Sequence, residues 1–533
     1  MHRVLLALVP LCLLGCAQSP TSPTVSTPTP PPTLAAASTN LVSNAAKSMN
    51  TLSPDVRATC VAATVSMSSV VDHVAETVDR IHACLASRDL PVALRVFMLQ
   101  GLVWTEMARQ GYSAAIDAQR AAIDLEPTPG DDQLFLLASL YNTTHQYPQG
   151  MALLEQLRAR HANVHELDST LGAPYYVVLG NILAATGHHQ EAIEAFSNAI
   201  RLAPALAAAY GGRATEREIA GDTAGAHADY VQLARWTPEN HIDARLEAKL
   251  SGMGIDAASE RRHPFGSANP LREIAAQALV TAQASLQAAA PPADKAKAYG
   301  DVSAFLDNTG QHEEALAAID RAIALAPDDI SLKQSRVTTL VALDRADDAL
   351  AAAAPLLEQM RRELAGAANP AAVYHQYVEA TGSSAWAYML KGNWAGQIDM
   401  LADCARGSDD FDRDYLATLY LIVRARSDGT APVSPYFEDY IRRRTAMPTT
   451  QYRQVLLQYV RGRAPLDAVY SMVSIIPDPG LLQNALAETW MMAAAYNRFV
   501  KHDDAVAQSY RKRIEDLQPY GTSEWTMVRY GGV

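Results

Sequence analysis

Residues 187–204, GHHQEAIEAFSNAIRLAP, match residues 221–238, GDTAGAHADYVQLARWTP, at an offset of 34 residues. A glycine, an alanine, an aromatic residue and a proline recur in register: Gly187, Ala192, Phe196 and Pro204, then Gly221, Ala226, Tyr230 and Pro238. A fixed period of this length is typical of stacked helical hairpins, because each hairpin is too small to bury its own apolar face. The period therefore predicts an all-α solenoid with a long concave surface suited to binding another molecule.

The residues before the first segment complete one helical hairpin. Tyr176, Gly180 and Leu183 recur at helical spacing on a first helix, and Phe196 lies on the second. Pro204 ends the second helix, since proline cannot continue a helix. This arrangement resembles the tetratricopeptide repeat, and the resemblance implies a tetratricopeptide-type solenoid of helical hairpins that binds other proteins.

The resemblance covers about 200 residues and is strongest over residues 173–240 and 296–329. A solenoid needs atypical terminal units, because they shield the end of the core. We therefore predict a degenerate helical region at the C-terminus. The predicted parts are a signal peptide (1–15), a tether (16–43), an N-terminal helical cap (44–95), a first repeat block (96–240), a joint (241–295), a second repeat block (296–363), and degenerate helical repeats with a C-terminal cap (364–533).

Residues 1–15 have the pattern of an export signal. Arg3 precedes an apolar run that is too short to span a bilayer, which takes about 20 residues. The run ends in LLGC, residues 13–16, which resembles the lipobox of bacterial lipoproteins. The resemblance implies cleavage before Cys16 and lipidation of its thiol, and Ala17 implies a periplasm-facing anchor in the outer membrane. The alternative is an ordinary secretory peptide with a chance cysteine.

The residues from Cys16 to about Ser43 form a predicted tether. They are rich in proline, serine and threonine, a composition that cannot build a core and favours extended chain. At about 3.1 Å per residue, such a tether reaches up to ~75 Å from a membrane surface.

Composition limits the partners that the protein can bind. The chain has 533 residues, of which 49% are hydrophobic and only 7% aromatic, with a high alanine content that suits closely packed helices. Its net charge is −13, spread without long acidic runs. An acidic surface argues against binding of nucleic acid and against peripheral binding to anionic lipid, both of which require a basic surface.

Five cysteines are present, and the sequence predicts four different fates for them. Cys12 leaves with the signal peptide, and Cys16 is the predicted lipidation site. Cys60 and Cys84 flank an apolar segment in a chain expected to fold in the oxidising periplasm, so a disulfide between them is one prediction. Two unpaired buried thiols are the alternative. Cys404 is predicted to be a buried small hydrophobe instead of a nucleophile.

Motifs for catalysis and for metal binding are incomplete. His312 begins a sequence like a zinc-protease helix, but Leu316 stands where the second histidine is required. Asp410, Asp412 and Asp414 alternate as in a calcium loop without its glycine and its final glutamate, and they suit an acidic helix N-terminus better. No phosphate-binding loop or nucleophile elbow occurs. We therefore predict no enzyme activity, no metal and no cofactor.

The resemblance to tetratricopeptide repeats also implies which residues face the concave surface. An apolar anchor at Phe135 and amides that bind an extended peptide backbone would form the binding face. The alternative is that each position is only an exposed helical residue. The positions carried over are Phe135, Asn142, Asn181, Thr215, Glu218, Asp307 and Asn308.

Together these features predict a lipid-anchored periplasmic scaffold that binds other envelope proteins. The tail over residues 485–530 loosely resembles the ends of repeat lipoproteins that organise peptidoglycan hydrolases, so an adaptor for peptidoglycan enzymes is one form of this hypothesis. The alternative is an assembly factor, pilotin-like or barrel-assembly-like, for a secretion, pilus or outer-membrane machine. An enzyme with a dispersed site and a self-associating structural protein are further alternatives.

Overall fold

The structure, a computed structural model, describes residues 44–530 apart from 46, 68–73, 239–240, 290 and 445–450. The predicted signal peptide, the lipidation site and the tether lie outside the described residues. Over the described ranges the chain is helical and contains no β-strand, which confirms the all-α prediction. None of the helices described is long and apolar enough to span a membrane.

The chain divides into two compact units. Unit 1 runs to Ile255 and unit 2 begins at Asp256. The division falls inside the segment that the sequence predicts to be a joint. Each unit is described separately below.

Unit 1 is a series of helical hairpins. Its hairpins pair α3 with α4, α5 with α6, α7 with α8, and α9 with α10. A kink at Gly172 interrupts α7. The helices are α1 (Pro54–Met67), α2 (Val74–Leu85), α3 (Val92–Ala108), α4 (Tyr112–Asp124), α5 (Asp131–Thr143), α6 (Tyr147–Arg160), α7 (Val164–Ala185), α8 (His189–Leu202), α9 (Ala207–Ile219), α10 (Thr223–Trp236) and α11 (Ala244–Gly252).

Phe196 shows how one hairpin packs on the next. Its side chain is fully buried, and its ring lies against Gly180 of α7 and Gly212 of α9. A Cβ atom at Gly180 would lie 2.7 Å from the Phe196 ring, closer than real side chains approach one another. The small residues of the repeat are therefore required at the places where the aromatic ring fills the space between hairpins.

Unit 2 is also built of helices. Its helices are α12 (Ala257–Arg262), α13 (Pro270–Ala288), α14 (Pro292–Asn308), α15 (His312–Leu325), α16 (Ile330–Ala342), α17 (Ala346–Ala365), α18 (Pro370–Gln376), α19 (Val378–Leu390), α20 (Trp394–Gly407), α21 (Asp410–Arg426), α22 (Pro435–Arg444), α23 (Tyr452–Val460), α24 (Leu466–Val473), α25 (Pro479–Tyr496), α26 (Asp504–Leu517) and α27 (Ser523–Arg529). A single π-helical turn, Asn497–Lys501, links α25 to α26; we call it the π-turn.

The two ends of unit 2 are joined by hydrogen bonds. The side chain of Gln483 accepts from the backbone N–H of Leu271 at 2.8 Å and donates to Asn269 Oδ1 at 3.0 Å. Asn269 Nδ2 in turn donates to the carbonyl oxygen of Gln518 at 3.1 Å. The beginning of unit 2 is thus fastened to its last helices, and the unit closes on itself.

Candidate protein-binding surface

Asn181 and Thr215 occupy the same position in successive repeats of unit 1. Both side chains are exposed, Asn181 on α7 and Thr215 on α9. Thr215 donates only to the Gly211 carbonyl of its own helix, at 3.0 Å. Within the described residues, Asn181 makes no side-chain hydrogen bond. Asn142, on α5, is partly exposed. The first helices of the unit 1 hairpins therefore present amide and hydroxyl groups that are available to a partner.

Glu218 is engaged by its own unit. Its carboxylate accepts hydrogen bonds from Lys249 Nζ at 2.7 Å and from the Tyr230 hydroxyl at 2.8 Å. The hydrogen bond from Lys249 lowers the pKa of the Glu218 carboxyl, so this group stays ionised and paired. These hydrogen bonds join α11 to the last hairpin of unit 1, so Glu218 is less available to a partner than Asn181 and Thr215.

Phe135 does not serve as the apolar anchor that the resemblance implies. Its side chain is only 6% exposed and belongs to a buried cluster with Leu154 and Tyr175. Burying apolar surface stabilises a folded protein by about 25 cal/mol per Å². The Phe135 ring is already buried in the core of unit 1, so it has little apolar surface left to offer a partner. The prediction for Phe135 is therefore corrected: it is a core residue.

The two candidate residues of unit 2 lie against other parts of the same unit. Asp307 accepts a hydrogen bond from the Thr339 hydroxyl, and its Oδ1 lies 2.8 Å from His312 Nδ1. Asn308 lies under the C-terminal loop, where a Cβ atom on Gly521 would come within 2.8 Å of the Asn308 Cα. The Asp307 carboxylate is thus engaged within unit 2, and Asn308 lies against Gly521 and is less exposed than Asn181.

A buried ion pair that the repeat pattern does not reveal joins α9 to α10. Asp229 is 2% exposed and accepts hydrogen bonds from Arg213 at 2.7 and 2.9 Å and from Arg217 at 2.9 Å. Arg213 Nη1 also donates to Ser197 Oγ at 3.0 Å. The signal in the sequence is the pair of arginines at positions where the repeat usually has apolar residues.

The alternating aspartates at the start of α21 are paired with arginines. Asp410 pairs with Arg413 at 2.6 Å, and Asp414 with Arg444 at 2.9 Å. Asp412 pairs with an arginine on α23. The described part of the chain holds no group of three or more His, Cys, Asp or Glu side chains arranged to bind a metal ion.

Cys60 and Cys84 form a disulfide that joins α1 to α2. Both residues are buried at the end of unit 1 that precedes the first repeat. The disulfide links the first two helices of unit 1, and both cysteines belong to the buried cluster that these helices share with α3.

Cys404 is buried on α20, with its Sγ 3.5 Å from the Val378 carbonyl oxygen. Burial raises the pKa of the Cys404 thiol to about 11. A nucleophilic cysteine needs a lowered pKa and access to solvent, and Cys404 has neither.

We expect Cys404 to resist alkylation in the folded protein. At pH 7.5 the native chain should take up iodoacetamide at least about a hundredfold more slowly than the chain in 6 M guanidinium, since the thiolate is the reacting species. Intact-mass spectrometry over time measures both rates. Equal rates would contradict this placement of the thiol.

A second buried polar cluster lies in unit 2. Arg453 donates to both carboxylate oxygens of Glu488, at 2.8 and 2.5 Å, and Glu488 also accepts from the Tyr452 hydroxyl at 2.9 Å. Close by, Glu524 of α27 accepts a hydrogen bond from the Tyr415 hydroxyl. Burial, together with the charge of Glu488, raises the pKa of the Glu524 carboxyl to about 7.

This pKa makes the stability of unit 2 depend on pH. Between the unfolded pKa of 4.5 and about 7, folded Glu524 keeps a proton that the unfolded chain releases. The free energy of unfolding should therefore fall as the pH rises through that window. We expect Glu524→Gln to remove this loss and to be about 2 kcal/mol more stable than the native protein at pH 8. Urea unfolding at pH 5, 6, 7 and 8 measures the difference.

The matched control for Glu524→Gln is Glu313→Gln, because Glu313 is exposed on α15. This variant should follow the native pH profile. A Glu524→Gln profile parallel to the native one would show that Glu524 does not hold the proton.

Comparison with known proteins identifies the repeats. Sequence models of the tetratricopeptide repeat match residues 173–206 in unit 1 and residues 296–329 in unit 2. No curated protein matches the sequence significantly. The chain thus carries tetratricopeptide repeats in an all-α fold of helical hairpins, and repeats of this class generally mediate contacts between proteins.

Solved structures similar to the chain are remote. A complex of Naa15/Naa10 bound to HypK-THB is 12% identical, with 84% of this chain and 81% of that chain covered and a TM-score of 0.29. The APC/C hetero-tetramer Cut9-Hcn1 is 13% identical, covering 83% and 89%, with a TM-score of 0.21. A human IFIT1 dimer with m7Gppp-AAAA is 12% identical, covering 85% and 95%, with a TM-score of 0.22.

Proposed function

We propose that this protein is a scaffold of the bacterial cell envelope that is anchored in the outer membrane through lipidated Cys16. The proline-rich tether gives the folded part reach into the periplasm. Unit 1 then holds other envelope proteins, such as enzymes that build or trim peptidoglycan. Binding is the whole mechanism, and no chemical step on a substrate is included in the proposal.

The contrast between the two units supports this assignment of the binding surface. In unit 1, Asn181 and Thr215 are exposed on neighbouring first helices, and neither side chain makes a hydrogen bond to another helix in the described part of the chain. In unit 2, Asp307 accepts a hydrogen bond from Thr339, and Asn308 is partly covered by Gly521. The amide and hydroxyl groups of unit 1 can therefore pair with the backbone of a partner segment without first breaking an internal contact.

Crosslinking in cells tests the binding surface. The variant Asn181→Arg/Thr215→Arg adds two long charged side chains to the proposed surface. The control Gln190→Arg adds the same side chain at an exposed position on α8, the second helix of its hairpin. Envelope proteins that are captured by the native protein and by Gln190→Arg should be lost from the double variant. Identical captures from all three would reject the unit 1 surface.

The membrane anchor is tested separately. Cys16→Ser should abolish incorporation of radiolabelled palmitate and move the protein from the membrane fraction to the soluble periplasmic fraction. Unchanged labelling and fractionation would reject Cys16 as the anchor, and would leave the test of the unit 1 surface unaffected.

A further inference from the structure

Five basic residues of unit 2 lie in the π-turn or at the C-terminal ends of α21 and α23. We call this group the basic end: Arg426, Arg461, Arg463, Arg498 and Lys501. The π-turn contacts both of these helices. Its Asn497 Nδ2 lies 3.4 Å from the Tyr459 hydroxyl at the end of α23, and its Phe499 ring lies 5.5 Å from the Arg426 Cζ at the end of α21.

Two arginines of the basic end, Arg426 and Arg461, have no carboxylate partner, whereas arginines near the starts of α21 and α23 do. Arg413 and Arg453, near the first turns of α21 and α23, pair with carboxylates at 2.6 and 2.5 Å. At the opposite ends, Arg426 and Arg461 each have a buried Nη1 atom with no hydrogen-bond partner in the described chain. No carboxylate among the described residues forms an ion pair with either of them.

The helix ends do not account for Arg426. A basic residue in the last turn commonly bonds the free carbonyl groups there. Arg424 instead bonds the loop that follows the helix, because its Nη1 donates to the carbonyl oxygens of Gly429 and Ala431. Arg426 makes no such bond.

The nearby carboxylates are engaged elsewhere. Glu438 is the carboxylate whose charge acts on Arg461, and it accepts a hydrogen bond from the Tyr420 hydroxyl at 2.7 Å. Asp503 caps α26 by accepting from the backbone N–H of Val506 at 3.1 Å. Arg426 and Arg461 therefore have no ion-pair partner among the described residues, in a chain whose net charge is −13.

Aromatic rings hold the Arg426 guanidinium in place. Its Cζ lies 5.0 Å from the ring centroid of Trp394 and 5.5 Å from that of Phe499, while the side chain as a whole remains partly exposed. A guanidinium fixed against aromatic rings is pre-organised to bind a planar carboxylate through its N–H groups. Arg498 also lies against the Phe499 ring, at 5.6 Å. An anion would relieve the repulsion between the two cations.

We propose that the basic end of unit 2 binds an acidic segment of a partner protein, with Arg426 as the group that receives a carboxylate. A short segment rich in aspartate or glutamate needs only this local patch. A lipid surface or a nucleic acid presents a broad negative field, which the net charge of the chain repels. The site is separate from the unit 1 surface and does not depend on it.

Binding of a defined acidic peptide tests the proposal. The probe is a fluorescein-labelled, acetylated and amidated hexaglutamate, measured by anisotropy with the full chain at low salt. We expect saturable binding that Arg426→Gln weakens at least about tenfold and Arg461→Gln weakens less, since truncating a buried charge partner is costly. Arg426→Lys keeps the positive charge but lacks the planar pair of N–H donors with which a guanidinium binds a carboxylate. This variant should therefore lose most of the affinity.

Several controls separate the outcomes. Arg362→Gln changes an arginine of unit 2 that is 70% exposed, and it should bind as the native protein does. Asn181→Arg/Thr215→Arg should also bind normally, so failure here is distinct from failure of the unit 1 surface. Circular dichroism checks that each variant is folded. Equal binding by Arg426→Gln, equal binding of hexaglutamine, or tighter Arg426-dependent binding of phosphate or of phosphatidylglycerol vesicles would overturn the proposal.

Discussion

Replacing Asp229 by alanine is expected to destabilise unit 1 by about 3–5 kcal/mol, because removing one partner of a buried ion pair leaves the other charges uncompensated. Arg213 and Arg217 both depend on this carboxylate, and their side chains are only 15% and 25% exposed. Both guanidinium groups would have to find water or break the contact between α9 and α10. Urea unfolding, with hydrogen exchange of the peptides over these two helices, measures the loss.

The control for Asp229→Ala is Asp320→Ala, which breaks an exposed pair with Arg336. Its cost should stay below about 1 kcal/mol, since exposed ion pairs contribute little. A second comparison replaces Asp229, Arg213 and Arg217 together by methionine, which should restore much of the lost stability. If Asp229→Ala proved as mild as Asp320→Ala, the buried network would contribute no more than a surface pair.

Replacing Arg453 by leucine is expected to destabilise unit 2 by a similar amount, about 3–5 kcal/mol at pH 8. Arg453 is 12% exposed and Glu488 is 3% exposed, so the carboxylate would remain buried without its cation. The contact between the Arg453 guanidinium and the Phe411 ring, at 4.2 Å, would also be lost. Chemical unfolding of the full chain, followed by tryptophan fluorescence, measures the effect.

Two variants test whether charge is the cause. Arg362→Leu removes an arginine that is 70% exposed and should cost less than about 1 kcal/mol. Arg453→Leu/Glu488→Leu removes both buried charges and should be clearly more stable than Arg453→Leu alone. A double variant that is less stable than the single one would mean that packing, and not charge, dominates this cluster.

Repeats could be predicted from the sequence where a small residue marks the turn between the two helices. Gly187 and Gly221 occupy that turn with φ of 84° and 80°, a conformation that favours glycine. In three weaker hairpins the same turn position is Gln110, His145 or Asp344, with φ of 62°, 59° and 58°. These hairpins keep the positive φ but lack the glycine that is typical of it. This explains why their repeats are weak in the sequence.

The binding surface could be predicted only in part, because a repeat pattern assigns a face without saying what covers it. Asn181 is exposed as expected, whereas Phe135 is taken up by the core. The partner of Glu218 is Lys249, which lies 31 residues later in the segment predicted to be a joint. Asn308 is covered by Gly521, from the far end of the chain. Contacts between such distant residues leave no local signal.

The closure of unit 2 has a consequence for the order in which the protein matures. Hairpins of unit 1 need only their sequence neighbours, so each can form as soon as it and its neighbours have been synthesised. The hydrogen bond from Asn269 to Gln518 joins residues that are 249 positions apart. Such a contact has a large loop-closure entropy and slows folding. Unit 2 must therefore wait until Gln518 has been synthesised, and during that interval its early helices remain exposed to proteases.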